Sequence, residues 1–314
     1  MPGSLKIDRE GRKDAWALLL ITVLEVTGTR RFDFGKGDFL KTALPTIRSS
    51  RRGGYAALLL VIASCTATTR AAEILVAAAS DLSIAIKEIA SEFERKTGHQ
   101  VKVSLGSSGN FYSQIANGAP FDIFLSADID YAKKLQDAGL AESGSLFLYG
   151  VGRLVVWVPG GSRLDIDHLG AAVLSDRSVK KIAIANPMHA PYGRAAVAAL
   201  KTLGLYDRVK DKLVLGENIS QAAQFVASGA ADAGLIALSL ALSPAMRQAG
   251  RYREISADTY PPLEQGAVIL KGAAKRGNRV VVGEFYNWIR SDSTRVVLKR
   301  YGFYASTRPG EENH

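Results

Sequence analysis

The sequence has few of the residues that build disulfide bonds and metal centres. Cys65 is the single cysteine among 314 residues, so an intramolecular disulfide is excluded. The four histidines are scattered along the chain, at His99, His168, His189 and His314. No Cys/His cluster has the spacing of zinc ligands. We therefore expect neither a metal site built from these side chains nor a resident cofactor.

Concentrated positive charge is also missing from most of the chain. The formal net charge is +10, but residues 1–71 carry 12 Lys/Arg against 6 Asp/Glu, and residues 72–314 carry 28 against 24. No basic stripe with interleaved aromatic residues is present, so we expect no nucleic-acid partner. The apolar fraction of 47% and the charged fraction of 22% indicate a globular protein, long enough for about two domains.

The apolar run at residues 56–63 is short. It falls far below the roughly 20 apolar residues that span a bilayer. A basic stretch at 48–55 precedes the run and small residues follow it, which is the pattern of a secretory signal peptide over residues 48–71. A buried core helix or strand is the alternative, but the basic flank and the position before the first clean strand favour export.

Two cleavage routes are compatible with this segment. Thr69-Arg-Ala71 before Ala72 suits an ordinary signal peptidase, whereas Ile62-Ala-Ser64-Cys65 resembles a lipobox that would make Cys65 a lipidated N-terminus. The ordinary route is favoured because the two alanines lie directly before the domain. A signal peptide is expected close to the N-terminus, so residues 1–47 are interpreted as a non-native or disordered extension from an over-extended gene start.

From residue 73 onward, short apolar strands alternate with helices. Strands are predicted at 74–79, 101–105, 121–125, 154–158, 182–185, 233–236 and 266–270, and helices at 82–97, 110–117, 130–138, 193–203, 219–228, 280–290 and 293–301. This alternation predicts an α/β protein with mixed, largely parallel sheets. The segments 147–154 and 250–255 are predicted as crossovers, which gives one lobe of 72–151 plus 253–314 and another of 152–252.

Four predicted strand-to-helix junctions carry small or polar residues just before the helix. They are Ala79-Ser-Asp81, Gly106-Ser-Ser-Gly-Asn110, the segment 186–193 and the segment 216–220. A helix N-terminus presents unpaired backbone N–H groups and a positive dipole end, so several together make an anion site without a formal cation. Helix capping explains each junction alone. The two serine loops are more informative jointly, because they follow successive strands at the sheet edge where α/β proteins bind ligands.

Several sequence blocks carry a family resemblance. They are Ile74-Leu-Val-Ala-Ala-Ala-Ser-Asp-Leu82, Gly106-Ser-Ser-Gly-Asn110, Gln114-Ile-Ala-Asn-Gly-Ala-Pro-Phe-Asp-Ile-Phe-Leu-Ser-Ala-Asp128, Asn186-Pro187, Pro191-Tyr-Gly193 and Lys299-Arg-Tyr-Gly-Phe303. In this order the blocks resemble the periplasmic molybdate-binding proteins of ABC importers. The resemblance covers nearly all of residues 73–305.

The resemblance implies a two-lobed periplasmic-binding-protein fold whose hinged cleft closes on a tetrahedral oxyanion. By matching position, Ser80, Ser108, Tyr192 and Ile219 would contact the oxygen atoms of molybdate or tungstate, and none would be a direct ligand of the metal. Some members use a tyrosine after the fourth helix, where this chain has Ala237. Tyr192 is expected to supply that hydroxyl from the third junction instead.

Three aspartates near these blocks receive separate interpretations. Asp81 stands where some members have Asn or Leu, and a carboxylate repels a dianion. Asp81 is therefore expected to contribute its backbone N–H while its side chain points away or caps the helix. Asp122 is interpreted as a structural strand-end or hinge residue, and Asp128 as a helix cap rather than an acid catalyst.

These observations predict a periplasmic, monomeric solute-binding protein, and not an enzyme, that delivers molybdate and also tungstate to an ABC permease. Lipidation of Cys65 would anchor this periplasmic protein to the membrane. A protein of the same fold that binds sulfate, phosphate, a metal or a small organic acid is the first alternative. A serine-dependent hydrolase is the second, but Gly106-Ser-Ser-Gly109 lacks the Gly-x-Ser-x-Gly spacing, and the pattern places no histidine beside it.

Overall fold

The computed structural model describes residues 71–305. The predicted extension at 1–47, Cys65, and all of the predicted signal peptide except its last residue lie outside the described residues. Across residues 71–305, no helix has the length and apolar character needed to cross a membrane. The same range forms two mixed β-sheets with helices, which confirms the predicted α/β class.

The elements of the described range alternate as the sequence predicts. The strands are β1 (Glu73–Ala79), β2 (Gln100–Gly106), β3 (Ile123–Ser126), β4 (Phe147–Gly152), β5 (Leu154–Pro159), β6 (Ile182–Ala185), β7 (Leu213–Gly216), β8 (Ala233–Ala237), β9 (Gly250–Glu254) and β10 (Leu263–Ile269). The helices are α1 (Ala85–Thr97), α2 (Ser108–Ala116), α3 (Ile129–Asp137), α4 (Ile166–Leu169), α5 (Pro191–Thr202), α6 (Tyr206–Val209), α7 (Ile219–Ala227), α8 (Leu238–Ala241), α9 (Pro244–Ala249), α10 (Gly272–Lys275), α11 (Arg279–Ile289) and α12 (Asp292–Arg300). Every predicted element is present with its ends shifted by a few residues, whereas β4, β7, β9 and the shortest helices were not predicted.

The two sheets share one topology. In the described range, the first sheet has the order β2-β1-β3-β10-β4 and the second has the order β7-β6-β8-β5-β9. In each described sheet, two strand pairings are parallel and two are antiparallel. The prediction of largely parallel sheets is therefore wrong.

The direction of two strands explains this departure. β10 begins opposite Gly152, at the end of β4, and runs antiparallel to β3. β5 likewise begins opposite Ala237, at the end of β8, and runs antiparallel to it. Both strands lead the chain away from the sheet edge at which β1, β3, β6 and β8 end, so they must oppose those strands.

The two segments predicted as crossovers are mostly strand. β4 fills most of the first, and Arg153 alone separates it from β5, so the chain passes between the sheets at that residue. β9 fills most of the second and pairs with β5 at the edge of the second sheet, so the predicted lobe boundary after residue 252 falls inside this strand. Glycines in β4 and the alternation of charged residues in β9 concealed these strands, because neither segment is an apolar run.

β1 reads as a continuous apolar run because both of its faces are buried. Ile74, Val76 and Ala78 lie in one hydrophobic cluster, which includes Phe93 of α1. Ala77 points to the opposite cluster, on the side of α2 and α3. Strands covered by helices on both faces typically lose the apolar-polar alternation.

α1 begins later than its apolar spacing predicts. Residues Ser80–Leu82 form a short 3₁₀ turn directly after β1, and the α-helix starts at Ala85. Its inward residues then follow the helical period, and it ends at Gly98, whose φ of 75° lies in the left-handed region. The turn fixes Ser80 at the end of β1, where the candidate site begins.

Candidate functional site

Residues from both sheets border one small cavity. Ser80 follows β1 and Ser108 opens α2 after β2, whereas Tyr192 lies at the start of α5 and Ile219 opens α7 after β7. The lining residues are Ala79, Ser80, Asp81, Gly106, Ser107, Ser108, Ala127, Ala190, Pro191, Tyr192 and Ile219. The structure thus brings the four predicted contact residues and Asp81 together. That they contact an oxyanion stays a prediction.

The cavity is small and carries no formal positive charge. Its volume is about 10 Å³, on a scale where about 10–15 Å³ holds one water molecule. Among its lining residues there is no lysine, arginine or histidine, and Asp81 is the single carboxyl. Hydroxyls and backbone N–H groups are therefore the hydrogen-bond donors that a bound solute would meet.

Ser108 is held in an orientation that suits donation. Its side chain is fully buried, and its hydroxyl oxygen accepts a hydrogen bond of 2.9 Å from the Ala127 N–H. The serine hydrogen itself remains available for a solute. The backbone N–H groups of Ser108 and Ile219, each the first residue of a helix, have no protein acceptor within residues 71–305. Such helix-start groups are the ones that bind anions.

Ser80 links the end of β1 to the start of α7. Its hydroxyl donates to Asn218 Oδ1 at 3.1 Å and accepts from the Ser220 N–H at 3.3 Å. The Ser220 hydroxyl donates in turn to the Ser80 carbonyl oxygen at 2.8 Å. Asn218 also caps α7, since its Oδ1 accepts from the Gln221 N–H. The first serine is therefore tied across the cavity to the helix that carries Ile219.

Tyr192 belongs to a buried polar network. Its hydroxyl accepts from Gln265 Nε2 at 3.2 Å, and the Tyr149 hydroxyl donates to Gln265 Oε1 at 2.8 Å. Burial, together with the nearby charge of Asp81, holds the pKa of Tyr192 well above its usual value, so the phenol stays neutral. A Cβ atom at Gly152 would overlap the Tyr192 hydroxyl and lie 2.7 Å from Gln265 Nε2, so only glycine leaves room for this network.

The side chain of Asp81 makes no helix-cap hydrogen bond at the start of its turn, which was one of the two predicted roles. Its Oδ2 instead accepts a 2.5 Å hydrogen bond from Gln265 Nε2. The Ser239 hydroxyl donates to the Asp81 carbonyl oxygen at 2.8 Å and fixes the backbone. Burial raises the pKa of Asp81 to about 6, against the lowering effect of its hydrogen bonds, of which the bond from Gln265 is the strongest.

Charged contacts outside the cavity lining join elements that follow strands of the two sheets. Arg194 Nη2 of α5 lies 2.5 Å from Asp128 Oδ2, and its Nη1 donates to the Tyr131 hydroxyl at 3.2 Å. Asp128 also caps α3 through the Asp130 N–H at 3.0 Å, as predicted. Asn110 of α2 donates to Glu217 Oε1, which precedes α7, at 2.5 Å. These contacts close the cleft around the cavity.

His189 lies beside the second serine loop, which the sequence pattern did not indicate. Its Nδ1 is 2.8 Å from Ser107 Oγ, and its Nε2 is 3.7 Å from Glu217 Oε1. The three side chains are the types found in a nucleophile–histidine–acid triad. However, the 3.7 Å between His189 Nε2 and Glu217 Oε1 is too long for the hydrogen bond that orients the histidine of a triad, and Ser107 is buried. The His189 carbonyl also accepts from the Gly109 N–H at 2.9 Å, so this loop is best explained as a closure contact.

Gln265 is the main polar residue that sequence reasoning missed. It is fully buried in β10 and joins Asp81, Tyr192 and Tyr149. The predicted strand began at residue 266, so Gln265 was excluded from it. The available signal was a glutamine directly before the apolar run that starts at Gly266. Arg194 was missed because its partner lies 66 residues away.

The remaining aspartate, Asp122, is structural. It is fully buried at the start of β3, where its Oδ2 accepts from the Leu75 N–H at 2.8 Å. Its other oxygen forms an ion pair with Arg276. Within the range 71–305, no three His, Cys, Asp or Glu side chains are grouped so that they could hold a metal ion.

Comparison with known proteins identifies the family. Residues 74–304 match the family described as bacterial extracellular solute-binding protein. This chain belongs to that family.

Individual members of the solute-binding protein family are similar over most of the chain. The molybdate-binding protein ModA of Azotobacter vinelandii is 43% identical over 237 residues, covering 74% of this chain and 90% of the relative. The protein of the same name from Rhodobacter capsulatus is 37% identical over 252 residues, covering 80% and 96%. The solved structure of the Azotobacter vinelandii periplasmic molybdate-binding protein superposes with a TM-score of 0.68 at 35% identity, covering 74% of this chain and 99% of that one.

The solute-binding protein fold therefore accounts for the position of the cavity. Two α/β units of like topology present the ends of their strands to each other, and the starts of α2, α5 and α7 meet between them. At the end of β8 the chain has the buried residue Ala237, so no tyrosine reaches the cavity from there. The phenol that borders the cavity is that of Tyr192.

Proposed function

We propose that this solute-binding protein captures molybdate in the cleft between two lobes and delivers it to the permease of an ABC importer. Tungstate, which has the same shape and charge, is proposed as a second solute. The lobes are proposed to be residues 72–151 plus 253–314 and residues 152–252. The protein is proposed to act in the periplasm, as a monomer and without catalysing a reaction.

The chemistry of the cavity supports an oxyanion ligand. Neutral polar groups converge on it: the hydroxyls of Ser108 and Tyr192, the helix-start N–H groups of Ser108 and Ile219, and the Ser80 hydroxyl, which would have to exchange its bond to Asn218 for one to the anion. Helix dipoles and N–H groups stabilise an anion without a salt bridge. Donors of this kind suit a solute that must be released again. This convergence is the observation that carries the proposal.

The relatives support molybdate among the oxyanions. Both curated relatives above bear the name molybdate-binding protein, and the chain covers nine-tenths or more of each. We propose that Ser80, Ser108, Tyr192 and Ile219 contact the oxygen atoms of the anion and that Asp81 adds its backbone N–H. In this assignment the Tyr192 hydroxyl replaces the tyrosine that other members place after the fourth helix.

Selection against sulfate then depends on size. Molybdate and sulfate are both tetrahedral dianions, so a fixed set of donors must distinguish them by anion radius. An anion that is too small leaves buried donors unpaired, which costs about 1–3 kcal/mol for each group. Two such groups give a preference of the order of 100-fold or more.

Calorimetric titration of the purified protein with molybdate, tungstate and sulfate tests the proposal. We expect tight binding of molybdate and tungstate with one site, and much weaker binding of sulfate. Binding of sulfate or phosphate without binding of molybdate would overturn the choice of ligand and leave the fold and cavity unaffected. Sedimentation with and without molybdate tests the proposed monomer.

A further inference from the structure

Asp81 is a buried carboxyl beside a cavity that is proposed to hold a dianion. The residue is 1% exposed and is among the lining residues of the cavity. Its Oδ2 accepts from Gln265 Nε2, but its Oδ1 is buried and has no hydrogen-bond partner within residues 71–305. A buried polar atom without a partner is unfavourable unless a ligand satisfies it.

The groups that face Asp81 supply no positive charge. They are the phenols of Tyr192 on α5 and Tyr149 on β4, the amide of Gln265 on β10, and the hydroxyl of Ser239 on α8, which bonds the Asp81 backbone. Burial raises the pKa of Asp81 to about 6 against the lowering effect of its hydrogen bonds, and no cation contributes to that shift. An ionised Asp81 would therefore meet a dianion without any compensating cation.

We propose, building on the oxyanion function above, that one proton is held between the Asp81 carboxyl and the bound oxyanion, so that the dianion is captured together with a proton. The proton comes from solvent and forms the O–H bond of the carboxyl when the anion enters. It returns to solvent when the anion leaves. Asp81 thereby changes from a repelling acceptor into a hydrogen-bond donor for an anion oxygen.

Two physical effects favour this arrangement. An ionised carboxylate only accepts hydrogen bonds, whereas a protonated one offers an O–H donor. The charge of the dianion disfavours ionisation of its neighbour, so binding raises the proton affinity of Asp81 further. Gln265 can donate to either form, so it holds the carboxyl in position throughout. The protonation state of Asp81 thus determines whether the site binds the anion.

Proton uptake has a measurable consequence for affinity. At pH values at which Asp81 is ionised in the free protein but protonated in the complex, the affinity for the anion falls about tenfold for each unit by which the pH rises. The effect is absent below the pKa of the free protein, because the proton is already present there. Exchange of Asp81 for asparagine keeps the shape and offers a permanent N–H donor, so it removes the dependence on pH.

Calorimetry in two buffers of different ionisation enthalpy counts the protons directly. With molybdate at about pH 7.5 and about pH 8.5, the purified wild-type protein is expected to take up close to one proton per anion and to bind about tenfold more weakly at the higher pH. The Asp81→Asn protein is expected to take up no proton and to bind molybdate with the same affinity at both pH values. Asp137→Asn, on the exposed end of α3, is the matched control and should behave as the wild type.

Two results would overturn the inference. One is a wild-type protein that binds molybdate without proton uptake. The other is uptake that persists in Asp81→Asn; if that uptake disappears in His189→Gln, the proton is assigned to the histidine. If Asp81→Asn does not fold, Asp81→Ser replaces it with the same expectations. If sulfate binds and molybdate does not, the ligand proposal fails, and the same proton count with sulfate still decides the role of Asp81.

Discussion

Arg194 Nη2 lies 2.5 Å from Asp128 Oδ2. This ion pair links the two sheets, because Arg194 lies on α5, after a strand of the second sheet, and Asp128 caps α3, after a strand of the first. The Asp128 carboxylate also accepts from the Asp130 N–H, so the start of α3 fixes the position of the carboxylate that Arg194 contacts. The pair lies outside the cavity lining and, together with the contact between Ser107 and His189, joins the two sides of the cleft.

Removal of this pair is expected to speed release of the solute. Both side chains are partly exposed, at 40% and 27%, so solvent screening reduces the contribution of the pair to about 0.5–1 kcal/mol. Arg194→Ala should therefore raise the dissociation rate of molybdate about two- to fivefold, with a smaller change in the association rate. Stopped-flow dilution measures both rates. Arg95→Ala, in an exposed pair within α1, is the control and should change neither; equal effects of the two variants would exclude Arg194 as a closure contact.

Ser108→Ala is expected to weaken binding of molybdate about 10- to 100-fold. The substitution removes a donor to a charged ligand, which contributes about 1.5–3 kcal/mol, and also deprives the Ala127 N–H of its acceptor. Titration calorimetry measures the change. Ser113→Ala, on the exposed face of the same helix, should bind as the wild type. Unchanged affinity in Ser108→Ala would show that the cavity is not the solute site.

Two glycine substitutions should change stability in opposite directions. At Gly152 a methyl group overlaps the Tyr192 hydroxyl, so Gly152→Ala should cost about 1–3 kcal/mol in the free energy of unfolding and also weaken molybdate binding. At Gly283, inside α11, a methyl group meets nothing within 4 Å. Gly283→Ala should therefore stabilise the protein by about 0.4–1 kcal/mol and leave binding unchanged. Chemical denaturation measures both; a Gly152→Ala protein as stable as the wild type would contradict the packing described for Tyr192.

The buried carboxyl of Asp81 should lower stability at neutral pH when no anion is bound. Its folded-state pKa of about 6 lies above the unfolded value of 3.8. The stability associated with the neutral acid is therefore fully present below 3.8 and is lost as the pH rises through about 6. Asp81→Asn should exceed the wild type in unfolding free energy by roughly 3 kcal/mol at about pH 7.5.

The difference between Asp81→Asn and the wild type should disappear toward about pH 4. Urea denaturation across this pH range measures it, with Asp137→Asn as the control. A constant difference at all pH values would mean that the carboxyl does not titrate with the predicted sign.

Much of the fold was predictable because its signals are local. The apolar run of β1, the helical spacing of Ile86, Ile89 and Phe93, and the stop at Gly98 depend on neighbouring residues only. The candidate contacts Ser80, Ser108, Tyr192 and Ile219 were predicted by matching motifs, because each stands at a junction whose sequence is distinctive. Strand β9, for example, was missed, since its alternating arginines interrupt any apolar run.

The sequence by itself determined the alternation of strands and helices, the family blocks and the absence of a cationic cluster at the four junctions. The tertiary structure alone decided which side chains meet, as it did for the carboxyl of Asp81 and the amide of Gln265, 184 residues apart. It also decided the directions of β5 and β10, and with them the share of antiparallel pairing. The physical reason is that burial, partner choice and the proton affinity of a carboxyl depend on atoms brought together by folding, which no local pattern specifies.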